Sequence, residues 1–371
     1  MKKVIFISNC ILGGGAEQML SIYARLFAGK GYGVFIAAPG KRTTAISLFG
    51  SGIRFIPMYR QSGKFRNWTA RWFIDRLMSN IEYFLYFLWS RFQTFDLAIA
   101  MKENRCMREV HKLHAKKKVA WIQTDYRYYH LSNWAFESPE AELKCMADFQ
   151  HVICVSESAR EGVIQTIGNP GNLAVCYNPI DYKSIRMLAK QLILLEKLLD
   201  RPLFVSVGRL DAHKQYTMLI EICSTLEKKY DFELWILGSG PQEQLLNHLI
   251  RELDVHAVKL LGFCENPYPY LKQADCSISS SVSESYGLAI QESLILGVPV
   301  IATRCPAIEE CMDTRFGIIC DNSFEGLKSA MEDVLQHPDC LEQYRDIIAE
   351  SYSVDNLYED RLNAAYELIE S

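Results

Sequence analysis

The chain has 371 residues, of which 49% are apolar, so it can bury two cores and is not predicted to be disordered. Its longest apolar run, from Tyr83 to Trp89, is well short of the roughly 20 residues that a membrane-spanning helix requires. Twelve cysteines are scattered singly without a C-x-x-C pair, which favours reduced thiols in a cytoplasmic protein over disulfides or a metal site.

The net charge of −4 conceals an uneven distribution along the chain. Residues 1–185 contain 24 Lys and Arg against 14 Asp and Glu, whereas residues 186–371 contain 16 against 30. Two explanations remain open: separate domains with separate partners, or charges that only solvate two surfaces unevenly. Nucleic acid is not an expected partner, because the chain has neither a net positive charge nor a reading motif. The N-terminus, where Ser8 and Asn9 soon follow a short apolar stretch, is not predicted to be a signal peptide.

The first elements are predicted to form a β-loop-α-β unit. The apolar run Val4–Ser8 is typical of a buried strand, and residues 16–27 carry apolar side chains at helical spacing. Gly29 and Gly31 end that helix, and the run 34–38 is the next strand. The loop between the first strand and the helix is rich in glycine.

Residues 59–92 combine basic and aromatic side chains. Arginines and lysines alternate with tryptophan and phenylalanine between Tyr59 and Arg76, and an aromatic run continues to Phe92. A basic, tryptophan-bearing amphipathic helix is typical of an interfacial contact with an anionic membrane. Aromatic residues at helical spacing are equally typical of a protein core, so both interpretations remain open.

The same alternation of strands and helices begins again at residue 203. Strands are predicted at 203–207, 233–237, 258–261, 276–279 and 299–302. We therefore predict an α/β protein with two doubly wound, Rossmann-like domains of parallel strands that face a central cleft. The predicted domains are 1–182 and 183–354, joined near a leucine-rich helix that extends to Leu199, with a C-terminal helix at about 355–371 that packs back on the first domain. Ligands of such sheets bind at the carboxyl ends of the strands.

One segment after a predicted strand combines two acids with a helix start. Glu284 precedes a helix predicted from about Gly287 to Leu296, and Glu292 lies about one turn further in than Leu288. The free N–H groups at that helix start suit a phosphate. One carboxylate can reach ribose hydroxyls while the other reaches a sugar beyond a diphosphate.

Two cations follow the strand that ends at Val207. The forked guanidinium of Arg209 and the compact ammonium of Lys214 can together neutralise a diphosphate without a metal ion. The sequence contains no Asp-x-Asp, the usual signal of an acidic metal bridge to a nucleotide diphosphate. Taken singly, each of these residues is equally compatible with a solvated surface position.

Together these elements resemble the retaining glycosyltransferases of family 4, whose two Rossmann-like domains form the GT-B fold. The E-x₇-E pair and the G-R-x₄-K element are the most specific motifs, and the resemblance covers nearly the whole chain. The remaining matching segments are 13–17, 121–125, Val155-Ser156, 177–181, 238–240 and 261–263. A dinucleotide-binding domain would instead require G-x-G-x-x-G, and the glycines at 13–15 are not spaced in that way.

The resemblance implies a role for each matching residue. Gly14 and Gly15 would bring main-chain N–H groups to the diphosphate, while Arg209 and Lys214 would hold the phosphates as the leaving-group charge develops. Glu284, as a catalytic residue with these two cations, would position the transferred sugar. The further donor-binding residues that the resemblance implies are Gly208, Gly262, Phe263, Ser285, Tyr286, Gly287, Leu288 and Glu292, with the main chain at 262–263 reading the base and Glu292 binding the ribose.

The chain departs from the family at Gln123, where many relatives have a histidine. A glutamine can donate a hydrogen bond to a sugar hydroxyl, but it cannot carry the charge or proton of a histidine. Asp125 would orient the acceptor, and a turn or helix cap is an equally good interpretation of it.

The resemblance thus implies a metal-independent, retaining glycosyltransferase without a cofactor. It would transfer a sugar from a nucleotide-sugar, most simply a UDP-sugar, to a glycan or lipid-linked acceptor in polysaccharide, lipopolysaccharide or glycoconjugate assembly. It would work in the cytoplasm, peripherally on the inner face of the membrane. Two alternatives remain: a nucleotide-sugar epimerase, which needs no acceptor, and a non-catalytic module that binds nucleotides or sugars.

Overall fold

A computed structural model of the chain describes residues 1–9, 15–40, 49, 52–59, 70–130, 135–193, 195 and 201–371, with the side chains of 16, 17 and 70–75 excepted. The chain divides into two compact units. The first unit comprises Met1–Asn178 and Arg361–Ser371, and the second comprises Pro179–Asp360.

The first unit is built on a sheet of seven parallel strands. In chain order they are β1 Lys3–Ile7, β2 Gly33–Ala38, β3 Arg54–Pro57, β4 Phe95–Ala100, β5 Ala115–Ile122, β6 His151–Cys154 and β7 Leu173–Val175. Their order in the sheet is β3-β2-β1-β4-β5-β6-β7, so the direction of winding reverses between β1 and β4. Apart from Lys3 and Asp96, the central strands β1 and β4 consist of buried apolar residues, as expected of a parallel sheet covered on both faces.

Helices connect the strands of the first unit. They are α1 Gly15–Gly29, α2 Ala70–Arg91, α3 Arg105–Lys112, α4 Pro139–Ala147 and α5 Glu157–Ile167. Ser138 and Ser156 cap the last two by accepting hydrogen bonds from main-chain N–H groups of the first turn. In the described parts of the chain, no helix combines the length and the apolar character that crossing a bilayer would require.

The C-terminal helix returns to the first unit. Arg361–Ser371 belongs to that unit, and Ala365 and Ile369 of this helix are fully buried. Glu370 accepts hydrogen bonds from Lys2 at 2.9 Å and from the hydroxyl of Tyr32 at 2.6 Å. These contacts join the two ends of the chain within one unit.

The second unit is built on a sheet of six parallel strands. They are β8 Leu203–Val207, β9 Glu233–Leu237, β10 Val258–Gly262, β11 Cys276–Ser279, β12 Val300–Thr303 and β13 Gly317–Cys320. Their order is β10-β9-β8-β11-β12-β13, so this sheet reverses between β8 and β11. Its helices are α6 Tyr182–Leu188, α7 Tyr216–Leu226, α8 Glu243–Glu252, α9 Tyr268–Gln273, α10 Leu288–Ile295, α11 Pro306–Cys311, α12 Phe324–Gln336 and α13 Asp339–Ser351. The C-terminal helix, α14 Glu359–Glu370, begins in the second unit and continues in the first.

Some predictions differ from the structure or cannot be compared with it. The boundary predicted between residues 182 and 183 lies between Asn178 and Pro179. The leucine-rich helix expected up to Leu199 ends at Leu188, because the described residues 189–193 and 195 that follow are not helical and Leu192 among them is fully exposed. Residues 194 and 196–200 of that prediction lie outside the described residues. Most of the basic, tryptophan-bearing stretch predicted at 59–76 also lies outside them, whereas α2 covers 70–91.

Candidate functional site

Charged side chains of the second unit meet where its sheet reverses. Arg209 and Lys214 follow β8, and Glu284 follows β11, the strand that pairs with β8. In open parallel sheets, ligands bind at such a reversal, outside the carboxyl ends of the strands. The fold therefore brings together residues 70 positions apart in the sequence.

Lys214 and Glu284 form an ion pair. Lys214 Nζ donates to Glu284 Oε1 at 2.5 Å, and the side chains are 23% and 14% exposed. The sequence predicts separate partners for them, phosphate for the lysine and sugar for the acid, whereas here each is the partner of the other. Burial lowers the pKa of Lys214, but the adjacent Glu284 carboxylate raises it, and the net pKa lies above the usual lysine value. Lys214 therefore remains charged at neutral pH.

Two serines after β11 hold this ion pair. Ser281 Oγ donates to Glu284 Oε1 at 2.6 Å, and Ser280 Oγ donates to the main-chain carbonyl of Lys214 at 2.6 Å. The loops after β8 and β11 are thus tied through side chains that are themselves buried. Such support restricts the positions of both charged groups.

Arg209 is the exposed member of the cluster. Its side chain is 73% exposed, and its Nε lies 3.7 Å from Asp211 Oδ2. Asp211 also accepts from the main-chain N–H of His213 at 3.1 Å, which begins the short 3₁₀ turn Ala212–Lys214. Because the contact with Asp211 is long and exposed, the guanidinium can turn toward an incoming anion at little cost.

Glycine is required where two loops of this unit cross. A Cβ at Gly238, whose φ is +150°, would overlap the carbonyl of Gly208, and a Cβ at Gly240 would overlap the carbonyl of Leu210. Gly208 itself lies against Lys214 and Tyr216. These close approaches allow the loops after β8 and β9 to pass beside each other.

The helix of the E-x₇-E segment begins where the sequence predicts it. Gly287, with φ of +70°, is its N-cap, and the helix runs Leu288–Ile295. The N–H of Ile290 donates to the Gly287 carbonyl, whereas the two N–H groups before it precede the first bond within the helix. Ser285 is partly exposed, and Tyr286 is buried. A helix start next to Glu284 offers donors to a phosphate.

Glu292 lies on the buried side of that helix. Its side chain accepts a hydrogen bond from the hydroxyl of Tyr268 at 3.1 Å, and the residue is only 8% exposed. Burial raises the pKa of Glu292 to about 7, although the hydrogen bond from Tyr268 lowers it. Its protonation therefore changes near neutral pH, which its place in the sequence did not indicate.

The residues predicted to read the base lie at the end of β10. Gly262 has φ of +73°, a conformation that favours glycine, and Phe263 is 64% exposed. An exposed aromatic ring beside a strand end offers a stacking surface for a planar group.

The residues predicted for the site from the first unit are Gly14, Gly15, Gln123 and Asp125. Gly14 lies outside the described residues, and Gly15 is the first residue of α1. The main-chain N–H of Gln123 donates to Glu103 at 2.9 Å, and its side-chain Nε2 is buried without a partner among the described residues. Gln123 therefore retains a side-chain donor that a ligand could use.

Asp125 is part of a buried turn. It accepts from the main-chain N–H of Arg127 at 3.0 Å, pairs with that guanidinium at 2.6 Å and accepts from Ser158 at 2.9 Å. A side chain on Gly162 would overlap Asp125. This geometry corresponds to the turn interpretation of Asp125, because its oxygens are occupied within the unit.

Among the residues that the structure describes, no group of three or more His, Cys, Asp or Glu side chains is placed to hold a metal ion. The metal-free mechanism nevertheless stays a prediction, because a substrate diphosphate can itself supply metal ligands.

Several residues of this neighbourhood were not singled out from the sequence. Ser280 and Ser281 belong to a run of three serines that begins at the last residue of a predicted strand, a signal that could have found them. Tyr268 and Glu103 act through contacts with residues 24 and 20 positions away, for which the sequence carries no signal.

The fold is similar to that of solved glycosyltransferase structures. Anabaena Alr3699/HepE in complex with UDP-glucose is 16% identical, with a TM-score of 0.71 over 99% of this chain and 100% of that one. Sucrose-phosphate synthase from Thermosynechococcus elongatus is 15% identical, with a TM-score of 0.73 over 100% and 98%. The two parallel, Rossmann-like units thus have the GT-B fold predicted from the sequence.

Curated relatives match part of the chain. An N-acetylgalactosamine-N,N'-diacetylbacillosaminyl-diphospho-undecaprenol 4-alpha-N-acetylgalactosaminyltransferase of Campylobacter jejuni is 34% identical over 187 residues, which cover 48% of this chain and 50% of that protein. The lipopolysaccharide core biosynthesis glycosyltransferase LpsE of Rhizobium meliloti is 31% identical over 153 residues, which cover 40% and 44%. The chain spans half or less of the length of these two relatives.

Family models cover both units. Residues 13–184 match the model described as Glycosyltransferase Family 4, and residues 194–354 match the model described as Glycosyl transferases group 1. The chain therefore belongs to the family 4 glycosyltransferases, which confirms the resemblance found in its motifs.

Proposed function

We propose that this chain is a retaining, metal-independent glycosyltransferase that moves a sugar from a UDP-sugar to a glycan or lipid-linked acceptor. The observation that carries the proposal is the Lys214–Glu284 ion pair at the reversal of the second sheet, with exposed Arg209 on the same loop. Two cations beside a helix start suit a diphosphate leaving group. Structural neighbours that were solved with UDP and UDP-glucose support a UDP-sugar as donor.

The acceptor assignment is supported by the names of the curated relatives. One acts on a diphospho-undecaprenol glycolipid, and another takes part in lipopolysaccharide core biosynthesis. A bacterial polysaccharide, lipopolysaccharide or glycoconjugate is thus the class of product that we propose. The cytoplasm, at the inner face of the membrane, is the compartment in which such an acceptor would meet a nucleotide-sugar.

The chemistry follows from the charges. The bond between the anomeric carbon and the diphosphate oxygen breaks, and its electron pair leaves with the diphosphate. The acceptor oxygen bonds to the same face of that carbon, and its proton passes to a departing phosphate oxygen. Arg209 and Lys214 stabilise the negative charge as it develops, and the ion pair with Glu284 fixes the direction of the Lys214 ammonium.

One assay separates this proposal from its alternatives. The protein is incubated with a panel of nucleotide-sugars, with and without an acceptor glycolipid extract and with and without EDTA, and nucleotide release is measured. Acceptor-dependent release of UDP that persists in EDTA supports the proposal. Isomerised donor without acceptor would favour an epimerase, binding without turnover would favour a non-catalytic module, and loss of activity in EDTA would contradict the metal-free mechanism.

We further propose a peripheral contact with anionic membrane through the predicted segment 59–92. One face of α2 packs on the first unit through the buried residues Tyr86 and Ser90. Its outer face carries an apolar stripe at helical spacing, 39% to 83% exposed, which consists of Leu77, Ile81, Phe84, Leu85, Leu88 and Phe92. Exposed Arg76 and Arg91 flank the stripe, and positive charge beside an apolar face complements anionic lipid.

Vesicle flotation tests the membrane contact. The protein should float with vesicles that contain phosphatidylglycerol at low salt, and the double change Phe84→Ser and Leu88→Ser should abolish flotation. Leu245→Ser, an exposed leucine of the second unit, is the matched control and should float like the unaltered protein. Absence of flotation, or concentration-dependent dimerisation through the stripe, would contradict the proposal.

A further inference from the structure

The carboxylate of Glu292 has one oxygen that the protein occupies and one that it does not. Tyr268, the first residue of α9, donates from its hydroxyl to Glu292 Oε1 at 3.1 Å, and both residues are 8% exposed. In the described parts of the chain, no group donates to Glu292 Oε2. Oε2 is therefore the atom of this acid that can accept a hydrogen bond from a ligand.

The hydroxyl of Tyr268 is presented from an anchored main chain. Asn266 Oδ1 accepts from the Tyr268 N–H at 3.3 Å, and Asn266 Nδ2 donates to the carbonyl of Leu188, at the end of α6, at 3.0 Å. The exposed ring of Phe263 lies at the start of the same connection, between β10 and α9. The segment that carries the predicted base-stacking ring thus ends on the residue that bonds to Glu292.

A proton and a ligand hydroxyl compete for the same oxygen of Glu292. An ionised carboxylate only accepts hydrogen bonds, whereas a protonated one carries its proton on one of its two oxygens. Because Tyr268 already donates to Oε1, that proton lies on Oε2. Burial raises the pKa of Glu292 to about 7, although the hydrogen bond from Tyr268 lowers it. Oε2 is therefore open to a hydroxyl above about pH 7 and carries a proton below it.

Other titratable groups around α10 do not set the charge of Glu292. The elements that pack most closely against α10 are α6, α9, β11 and β12. Besides Tyr268, their titratable side chains are Tyr182, Lys183, Arg186, Tyr270, Lys272 and Cys276. Arg186 Nε donates to the carbonyl of Ile295 at 3.4 Å, and the pKa of Glu292 responds to burial and to Tyr268 alone.

Another side of α10 meets α11 and the end of α13. Gln291 Nε2 donates to the carbonyl of Cys311, and the hydroxyl of Tyr352 donates to Gln291 Oε1 at 2.8 Å. Glu309 and Glu310, the acids of α11, do not shift the pKa of Glu292. The hydrogen bond from Tyr268 is thus the specific contact that acts on this carboxylate.

We infer that Tyr268 is the positioning residue of Glu292 for the ribose of the donor: by occupying Oε1, it leaves Oε2 as the acceptor for a ribose hydroxyl. This inference rests on the proposed glycosyltransferase function, in which Glu292 binds the ribose, and it adds to that function a residue and a pH dependence. A donor without ribose hydroxyls leaves Oε2 unpaired, so the pair also favours ribonucleotides.

The test measures binding of the β-methyl ester of UDP to the full chain by calorimetry at pH 5.5, 7 and 8.5. This probe carries the ribose and the diphosphate without a transferred sugar, and its diphosphate does not titrate over this range. Tyr268→Phe removes the hydroxyl, and Tyr270→Phe, which removes another hydroxyl of the same helix, is the matched control. Glu292→Gln removes the titrating group, and the 2′,3′-dideoxy form of the probe removes the ribose hydroxyls.

The unaltered protein should bind the probe about 10-fold or more tightly at pH 8.5 than at pH 5.5, because Glu292 is ionised only at the higher pH. Tyr268→Phe should bind about 3-fold or more weakly at pH 7 and approach the unaltered protein at pH 8.5, where the acid is ionised without help. Tyr270→Phe should follow the unaltered protein. Glu292→Gln, and the dideoxy probe with the unaltered protein, should show weak binding without this pH dependence.

Circular dichroism and Tm establish that each variant is folded. Binding by the unaltered protein that does not change with pH would overturn the inference while leaving the donor site in place. Weak binding by Tyr268→Phe that persists at pH 8.5, or an unchanged pH dependence in folded Glu292→Gln, would overturn it as well. Absence of binding at every pH would contradict the proposed donor site itself, and the inference with it.

Discussion

Lys214 Nζ lies 2.5 Å from Glu284 Oε1, across the point where the second sheet reverses its strand order. This ion pair joins the two motifs that stood out in the sequence, G-R-x₄-K and E-x₇-E, into one site. A partly buried lysine held by a carboxylate cannot relax freely, so a leaving group meets a charge that is already oriented.

Lys214→Ala should lower kcat/KM by roughly 100-fold or more, because one contact to the developing diphosphate charge is removed. Initial rates of UDP release with saturating acceptor measure the effect. Lys229→Ala is the control, since Lys229 pairs with Glu332 at 2.9 Å on the surface of the same unit. Unchanged turnover in folded Lys214→Ala would exclude Lys214 from the site.

The effects of Glu284→Gln and Lys214→Met on the free energy of unfolding should not be additive. Removing one partner leaves the other charge partly buried and uncompensated, so each single change should lower the free energy of unfolding by more than half of what the double change does. Urea denaturation at pH 7 of the unaltered protein, the two single variants and the double variant measures these losses. Strictly additive losses would show that the two side chains do not interact in solution.

Stability should depend on pH through Glu292. Its pKa in the folded chain, about 7, lies above its ordinary value of 4.5, so the folded state binds a proton more tightly than the unfolded state. The stability that this tighter proton binding contributes is therefore fully present below about pH 4.5 and is lost as the pH rises to about 7. The free energy of unfolding falls by about 3 kcal/mol in all over this range. In Glu292→Gln, the free energy of unfolding should fall correspondingly less between pH 5 and pH 8, as measured by denaturant titration. Identical pH profiles for the two proteins would contradict the assignment.

Tyr268→Phe should move this loss of stability to higher pH. The Tyr268 hydroxyl donates to the Glu292 carboxylate at 3.1 Å and lowers its pKa, so removing it disfavours the ionised acid further. Titration of Glu292 by NMR in both proteins measures the shift directly. Tyr270→Phe, which changes another tyrosine of the same helix, should leave the titration unchanged, and an unshifted pKa in Tyr268→Phe would show that the hydrogen bond is not formed.

Gly238→Ala should disturb the donor site through the main chain. The added Cβ would overlap the Gly208 carbonyl at a φ of +150°, so we expect a loss of about 2 kcal/mol or more in unfolding free energy and weaker UDP binding. Gly29→Ala is the control, since a Cβ there meets nothing within 4 Å. Thermal melts with and without UDP measure both effects, and normal UDP affinity in Gly238→Ala would contradict the close approach.

Much of the fold followed from local pattern. Parallel strands that are buried on both faces appear in the sequence as short apolar runs, and runs such as 203–207 and 233–237 were predicted to the residue. The helix after Glu284 was similarly close, because Gly287 and Gly297 mark its ends. The predicted helix up to Leu199 was wrong from residue 189 to 193, where the described chain is not helical although its apolar pattern continues.

The sequence by itself determined the class of protein, since strand rhythm, glycine positions and the spacing of Arg209, Lys214, Glu284 and Glu292 are all local properties of the chain. Only the tertiary structure decided how those residues are used: Lys214 pairs with Glu284, and Glu292 with Tyr268. The physical reason is that pairing, burial and the resulting pKa shifts depend on which strand ends become neighbours. That neighbourhood is set by sheet order, which no local pattern records.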